Sequence, residues 1–196
     1  LLFTLKMFLQ GRAVLPAEGV GAMPRQLANR LPPEAVRSDA VVEALAREGD
    51  AVTGVRWGGD TLPARAVVIA TDPPAARVLT GIERLPGPDH GVGSVTVFLA
   101  SGRDPGVGPR LVLDATRRGV VNHLAPLSTV QPSYAPPGQH LLAAVVVGEP
   151  VGQDDDVLAA TARTEAAAML GHDDADWRVL AVRRVAFSQF VQPPGF

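Results

Sequence analysis

The 196-residue sequence has no cysteine and a single lysine, Lys6. Without cysteine there is no disulfide framework, no thiolate nucleophile and no cysteine-ligated zinc. That absence fits a reducing compartment, and a cytoplasmic location is expected. There is no surplus of positive charge either. Eighteen basic residues face twenty acidic ones, for a formal net charge of −2, so nothing points to nucleic acid or an anionic membrane surface as a partner. Long hydrophobic runs are missing. Leu1–Leu9 is apolar but too short to span a bilayer, and it lacks the basic start and small-residue cleavage site of a signal peptide. The chain opens on Leu1 and its first methionine is Met7, which reads as a piece of a longer protein.

The chemistry of a hydrolase is not visible. His90, His123, His140 and His172 are present with many serines and aspartates, but no serine lies in a G-x-S-x-G elbow. The acidic cluster His172-Asp173-Asp174 follows a helix stop at Leu170-Gly171, Asp154–Asp156 reads as a solvated helix cap, and no metal ligand is assigned.

What the sequence does contain is enough apolar material for a core. Hydrophobic residues make up 46% of the chain, too many for a disordered polymer. Leu1 to about Gln10 reads as the end of a helix. Pro24 suits the first position of another, with Leu27, Ala28 and Leu31 on one face, stopped by Pro32-Pro33. Val36–Arg47 is strand-like, with a break near Ser38-Asp39. Glu48-Gly49-Asp50 and Gly58-Gly59-Asp60 read as tight turns on either side of a strand over Ala51–Trp57. Ala66–Ala70 has no polar residue, the pattern of a strand buried on both faces of a parallel sheet. A short helix over Ala75–Leu79 follows. After the Pro/Gly-rich linker Gly81–Gly91, strands are expected over Ser94–Leu99, Leu111–Leu113, Val120–Leu124, Leu141–Val147 and Trp177–Ser188. Gln131–Gly138, with three prolines, reads as a loop. A four-turn helix follows the acidic start at Asp154–Asp156, with Leu158, Ala162, Met169 and Leu170 on its buried face.

Gly19-x-Gly21 ahead of a helix raises the question of a phosphate-cradling loop. That fingerprint needs a strand, then G-x-G-x-x-G, then a helix. Here the third glycine is Pro24, which has no N–H to offer a phosphate, and no β-branched run precedes Gly19. Gly91-x-Gly93-x-x-Thr96 leads into a strand and fails as well.

The same stretch, "PAEGVGAMPRQLANRLP", followed by "VRSDAVVEALAREGDAVTGVRWGGDTLPARAVVIATDPPAA", resembles the middle of FAD-dependent oxidoreductases of the phytoene desaturase, flavin amine oxidase and protoporphyrinogen oxidase superfamily. Pro16, Gly19, Gly21, Pro24 and Leu27 match the family's P-x-G-G-Met-G loop and following helix, while Glu18 and Val20 depart from it. Val42 and Leu45 match a V-x-x-I strand. Val67, Val68, Ala70 and Thr71 match a strand end of the V-V-x-A-t type. "YAPPGQHLL", Tyr134–Leu142, resembles a later a-P-x-G-x-x-l-l stretch.

The resemblance implies a mixed α/β chain: the middle part of a Rossmann-like FAD-binding domain plus a substrate domain with a mixed β-sheet and covering helices. By position, residues 1–33 would be a helical segment of the substrate domain and an entry loop, 34–80 the central FAD-binding portion and 81–196 the substrate-binding domain. It implies FAD as cofactor and dehydrogenation of a small or apolar organic substrate by hydride transfer to the flavin. The phosphate loop and a G-D motif near the flavin would lie outside this chain, and the fragment alone would be inactive. Peripheral membrane contact is compatible with an apolar substrate. Val42 would hold the adenine edge through its backbone N–H and C=O, or be an ordinary core valine. Ala70 and Thr71 would lie at the ligand end of their strand, with Thr71 offering a hydroxyl or capping the next turn. Many flavin amine oxidases have a lysine near the flavin. Lys6 lies outside the motif region, which favours a desaturase-like or uncharacterised branch, and no catalytic residue is assigned. The contrasting reading is a stand-alone, non-catalytic α/β module for an apolar ligand or a protein partner.

Overall fold

The longest helix shows how this sequence makes its core. Asp154 stops the preceding chain and accepts hydrogen bonds through Oδ1 from the N–H groups of Asp156 (2.9 Å) and Val157 (3.3 Å), satisfying donors that the first turn cannot pair. The helix then runs over Asp155–Leu170. Leu158, Ala162 and Ala166, spaced by four, and the neighbouring Ala159 and Ala167 form its buried stripe. The alanines let the helix lie close against a sheet. Met169 and Leu170 are half-buried at the end of the same stripe. Burying Leu158 alone contributes about 2 kcal/mol.

This computed structural model describes residues 2, 3, 6, 14–116, 118–148 and 152–192. The described elements, in chain order, are α1 (Ala22–Ala28), β1 (Val42–Glu48), β2 (Ala51–Trp57), β3 (Asp60–Pro63), α2 (Pro73–Thr80), β4 (Gly91–Ser101), β5 (Val112–Leu113), β6 (Val121–Ala125), α3 (Leu127–Val130), β7 (His140–Val147), α4 (Asp155–Leu170) and β8 (Arg178–Phe190), with short 3-10 turns between some of them. They form two compact units. One comprises Leu1–Pro24 with Gly93–Ser188, the other Arg25–Val92 with Gln189–Phe196.

The first unit is built on a five-stranded sheet in the order β5-β6-β7-β4-β8. The β4–β7, β5–β6 and β6–β7 pairs are antiparallel. One face carries Val95, Val97, Leu99, Leu142, Ala144 and Val146 against α4, and Trp177 closes this core at 1% exposure.

The second unit holds an antiparallel meander, β1-β2-β3. Two short turns set its register. Gly49 has φ of 57° between the paired Glu48 and Ala51. Gly58 and Gly59 have φ of 60° and 85° between the paired Trp57 and Asp60. Two consecutive positive φ values are what a twisted two-residue hairpin needs, and glycine adopts them without a Cβ penalty.

Three expectations change. The helix after the Gly19–Gly21 loop begins at Ala22, so Pro24 is its third residue, and Leu27 and Leu31 are exposed. The first strand begins at Val42, after a 3-10 turn over Pro33–Ala35 and a positive φ of 56° at Asp39. Ala66–Ala70 is not a buried strand. It pairs with no strand among the described residues, and Val68 is 89% exposed. An apolar run supplies the side chains for a two-sided burial, but a strand also needs a neighbour to bond. Of the expected N-terminal helix, Leu2, Phe3 and Lys6 are helical. Its other residues lie outside those described.

Candidate functional site

Val42 sits at the first position of β1, an edge strand of the three-stranded sheet. The β1–β2 ladder pairs Val42 with Trp57 and Leu45 with Val55, with a register shift between Val42 and Ala44. Trp57 and Val55 are two residues apart and therefore face the same side of the sheet. Val42 and Leu45, three apart, must do so too. In a regular strand a spacing of three puts side chains on opposite faces. A β-bulge removes the conflict, and it explains why the V-x-x-L spacing is three rather than two.

The same ladder fixes the backbone. Trp57 and Asp60 close a two-residue hairpin, so Trp57 turns its N–H and C=O toward β3. In an antiparallel ladder the hydrogen-bonded and non-hydrogen-bonded pairs alternate. Val42, opposite Trp57, therefore turns its own N–H and C=O away from β2, onto the free edge. Glu43 accepts a hydrogen bond through Oε1 from the Gly58 N–H (3.2 Å), tying the start of β1 to the hairpin turn.

Val42 is 37% exposed and lines an open cleft of roughly 350 Å³ with Val55, Trp57, Leu62, Arg37 and Ala40. The Arg37 guanidinium lies 5.3 Å from the centre of the Trp57 ring, a cation–π contact. Ala70 and Thr71 are exposed and do not line this cleft. The Thr71 hydroxyl donates to the Asp72 carbonyl (3.2 Å). Asp72 caps α2 by accepting from the Ala75 N–H (2.9 Å).

In the first unit, three side chains of one short segment grip three consecutive carbonyls of the glycine loop. The Tyr134 hydroxyl donates to Pro16 O (2.8 Å), the Ser133 hydroxyl to Ala17 O (3.2 Å) and the Gln131 amide to Leu15 O (3.5 Å). Pro16 O also accepts from the Gly19 N–H (3.0 Å), and Gly19 has φ of 83°. The loop is thus held as a turn that needs glycine at position 19. The two family-like motifs, around Pro16 and around Tyr134, meet through this bond. Gln131, Ser133, Arg37 and Trp57 carried no mark of a role in the sequence. Only the Y-A-P-P motif hinted at Tyr134.

The acidic clusters and His90 have ordinary partners. Asp89 and His90 form an exposed pair (3.0 Å). The hydrogen bond from His90 holds the Asp89 carboxyl below its usual range, helped by a backbone hydrogen bond. His172 stacks on Trp177. Asp173 caps the next 3-10 turn, and Asp174 pairs with Arg163 (3.3 Å) and Thr164 (3.0 Å). Among the described residues no group of three His, Asp or Glu side chains could hold a metal ion, and no helix is long and apolar enough to cross a membrane.

The family model for flavin-containing amine oxidoreductases matches residues 3–195, and the chain belongs to that family. Its cofactor is FAD. Among solved structures, the chain is similar to a candidate protoporphyrinogen oxidase from Exiguobacterium sp. 255-15, with a TM-score of 0.70 and 16% identity over 91% of this chain and 41% of that one. It is also similar to an oxidoreductase from Methanosarcina mazei, with a TM-score of 0.56 and 19% identity over 76% of this chain and 37% of that one. The chain therefore spans well under half the length of either. No curated protein matches it.

Proposed function

We propose that this chain is the middle portion of an FAD-dependent enzyme that oxidises or desaturates a small or apolar organic substrate. When bound, FAD supplies the hydride acceptor. The residues of this chain supply binding and positioning. The observation that carries the reading is the free edge of β1 at Val42. One N–H and one C=O lie side by side on the edge of β1 that faces away from β2, where no strand among the described residues pairs with them. Adenine presents the complement, an amino donor beside a ring-nitrogen acceptor. The donor set thus fits the adenine end of FAD, and the bulge holds the Val42 side chain on the cleft face while its backbone stays free. Ala70 and Thr71 belong to the proposed cofactor region by motif position, with Thr71 serving also as the lead-in to α2. The substrate contacts are assigned to the five-stranded sheet unit.

The test uses the protein made from the complete reading frame that contains these residues. Purified protein is expected to retain a flavin absorption band, and that band is expected to bleach anaerobically on adding a reducing substrate. Failure to bind FAD at micromolar concentration, roughly −8 kcal/mol of binding free energy, would contradict the proposal.

A further inference from the structure

A second β-bulge decides where His123 points. β6 pairs Val121 with Val146 and His123 with Val145, with a register shift between Val121 and His123. Val146 faces α4 in the core, so Val145 and His123 face the other side of the sheet. Without the shift, His123 would turn toward α4. Bulges of this kind re-aim side chains and gather beside functional sites. The face reached by His123 is apolar and only half covered. Across it the ladder aligns Leu113, His123, Val145 and Thr96, and the next row holds Ala143 and Phe98. His123, Val145, Thr96 and Phe98 are half-buried and Leu113 is exposed, whereas on the α4 face the side chains of β4, β6 and β7 are buried.

The ring chemistry is set by its neighbour. Asn122 Oδ1 lies 3.0 Å from His123 Nδ1. With the carboxamide oriented as in the structure, this carbonyl oxygen accepts, so Nδ1 carries the proton and Nε2 keeps its lone pair. Burial pushes the imidazole below its usual range, so it is neutral at neutral pH. A face that sets a neutral ring acceptor and one threonine hydroxyl among otherwise apolar side chains complements a largely apolar molecule with a hydrogen-bond donor.

We infer that His123 is a specificity-determining residue on the open face of the five-stranded sheet, where it accepts a hydrogen bond from an amine or hydroxyl of an otherwise apolar substrate. The inference rests on the reading of this unit as substrate-binding. The test uses the full-length protein and two probes of the same shape, β-naphthol and its methyl ether, which lacks the donor. Wild type is expected to bind β-naphthol about tenfold more tightly than the ether, the value of one hydrogen bond. His123→Phe is expected to bind both probes equally, with affinity for the ether unchanged. His123→Gln, which offers a carbonyl acceptor, is expected to keep a preference for the naphthol. Equal affinities in wild type, an undiminished preference in His123→Phe, or no saturable binding of either probe to wild type would each overturn the inference. The flavin spectrum of the same samples is read separately. Its absence would sink the cofactor reading and leave the probe result to decide the role of His123.

Discussion

Glu165 ties α4 to the entry of β6. Its carboxylate accepts from the Val120 N–H (2.8 Å to Oε2, 3.1 Å to Oε1) and from the Val121 N–H (2.9 Å to Oε2). Val121 is fully buried, so its N–H has little access to water when Glu165 is removed. Each hydrogen bond to a charged acceptor contributes about 1.5–3 kcal/mol. With water replacing part of the loss at half-buried Val120, Glu165→Ala is expected to cost about 2–4 kcal/mol. Gly119 stands in the way of any larger residue, because a Cβ there would lie 2.5 Å from Glu165 Oε2. The carboxylate is pinned by two N–H groups and cannot yield without weakening them. Gly119→Ala is therefore expected to cost about 1–3 kcal/mol in wild type and close to nothing in the Glu165→Ala background. Urea unfolding of the four proteins at constant m-value gives the coupling. Strict additivity of the two costs would refute the clamp.

Other consequences are as accessible. Tyr134→Phe removes the donor to Pro16 and is expected to cost about 1 kcal/mol and to speed amide exchange at Gly19; unchanged exchange would count against the three-point grip on the loop. Asp154→Ala, which uncaps α4, is expected to cost about 1 kcal/mol, measured by the shift in unfolding midpoint. His123 binds protons more weakly folded than unfolded, so its contribution to stability is complete above the unfolded value of 6.5 and is lost as pH falls through the lower folded value. His123→Gln should flatten that part of the pH–stability curve, and an identical slope in the variant would contradict it. The isolated 196-residue chain is expected to bind FAD far more weakly than the complete protein. Retained flavin at micromolar affinity, roughly −8 kcal/mol, would show that the main cofactor contacts lie within it.

Much of this architecture is legible from local pattern. The glycine turns at positions 49 and 58–59, the alternating strands of the larger sheet and the acid-capped helix at Asp154 each have a short-range cause, and each forms close to where the sequence places it. Val42 and Leu45 could be paired by motif, but the reason for their spacing could not be read. The bulge depends on how β1 lies against β2, and V-E-A-L carries no local mark of it. V-N-H-L conceals the aim of His123 in the same way. The bond from Tyr134 to Pro16 joins residues 118 positions apart and has no local signature at all. Ala66–Ala70 misleads for the opposite reason. Its composition describes an environment buried on both sides, and composition cannot supply the neighbouring strand.

The central claim is that the Val42 backbone, rather than its side chain, holds the adenine of FAD. It is tested by titrating FAD into Val42→Ala and Val42→Pro forms of the full-length protein under conditions where circular dichroism shows both folded. Val42→Ala truncates a partly exposed side chain and is expected to cost about 1–2 kcal/mol of stability with FAD affinity near that of wild type. Val42→Pro removes an N–H that points off the edge of the sheet, a position where proline is tolerated. It is expected to cost about 1–3 kcal/mol of binding, roughly 5- to 150-fold in affinity. Near-wild-type affinity in both variants would contradict the account and remove Val42 from the cofactor site.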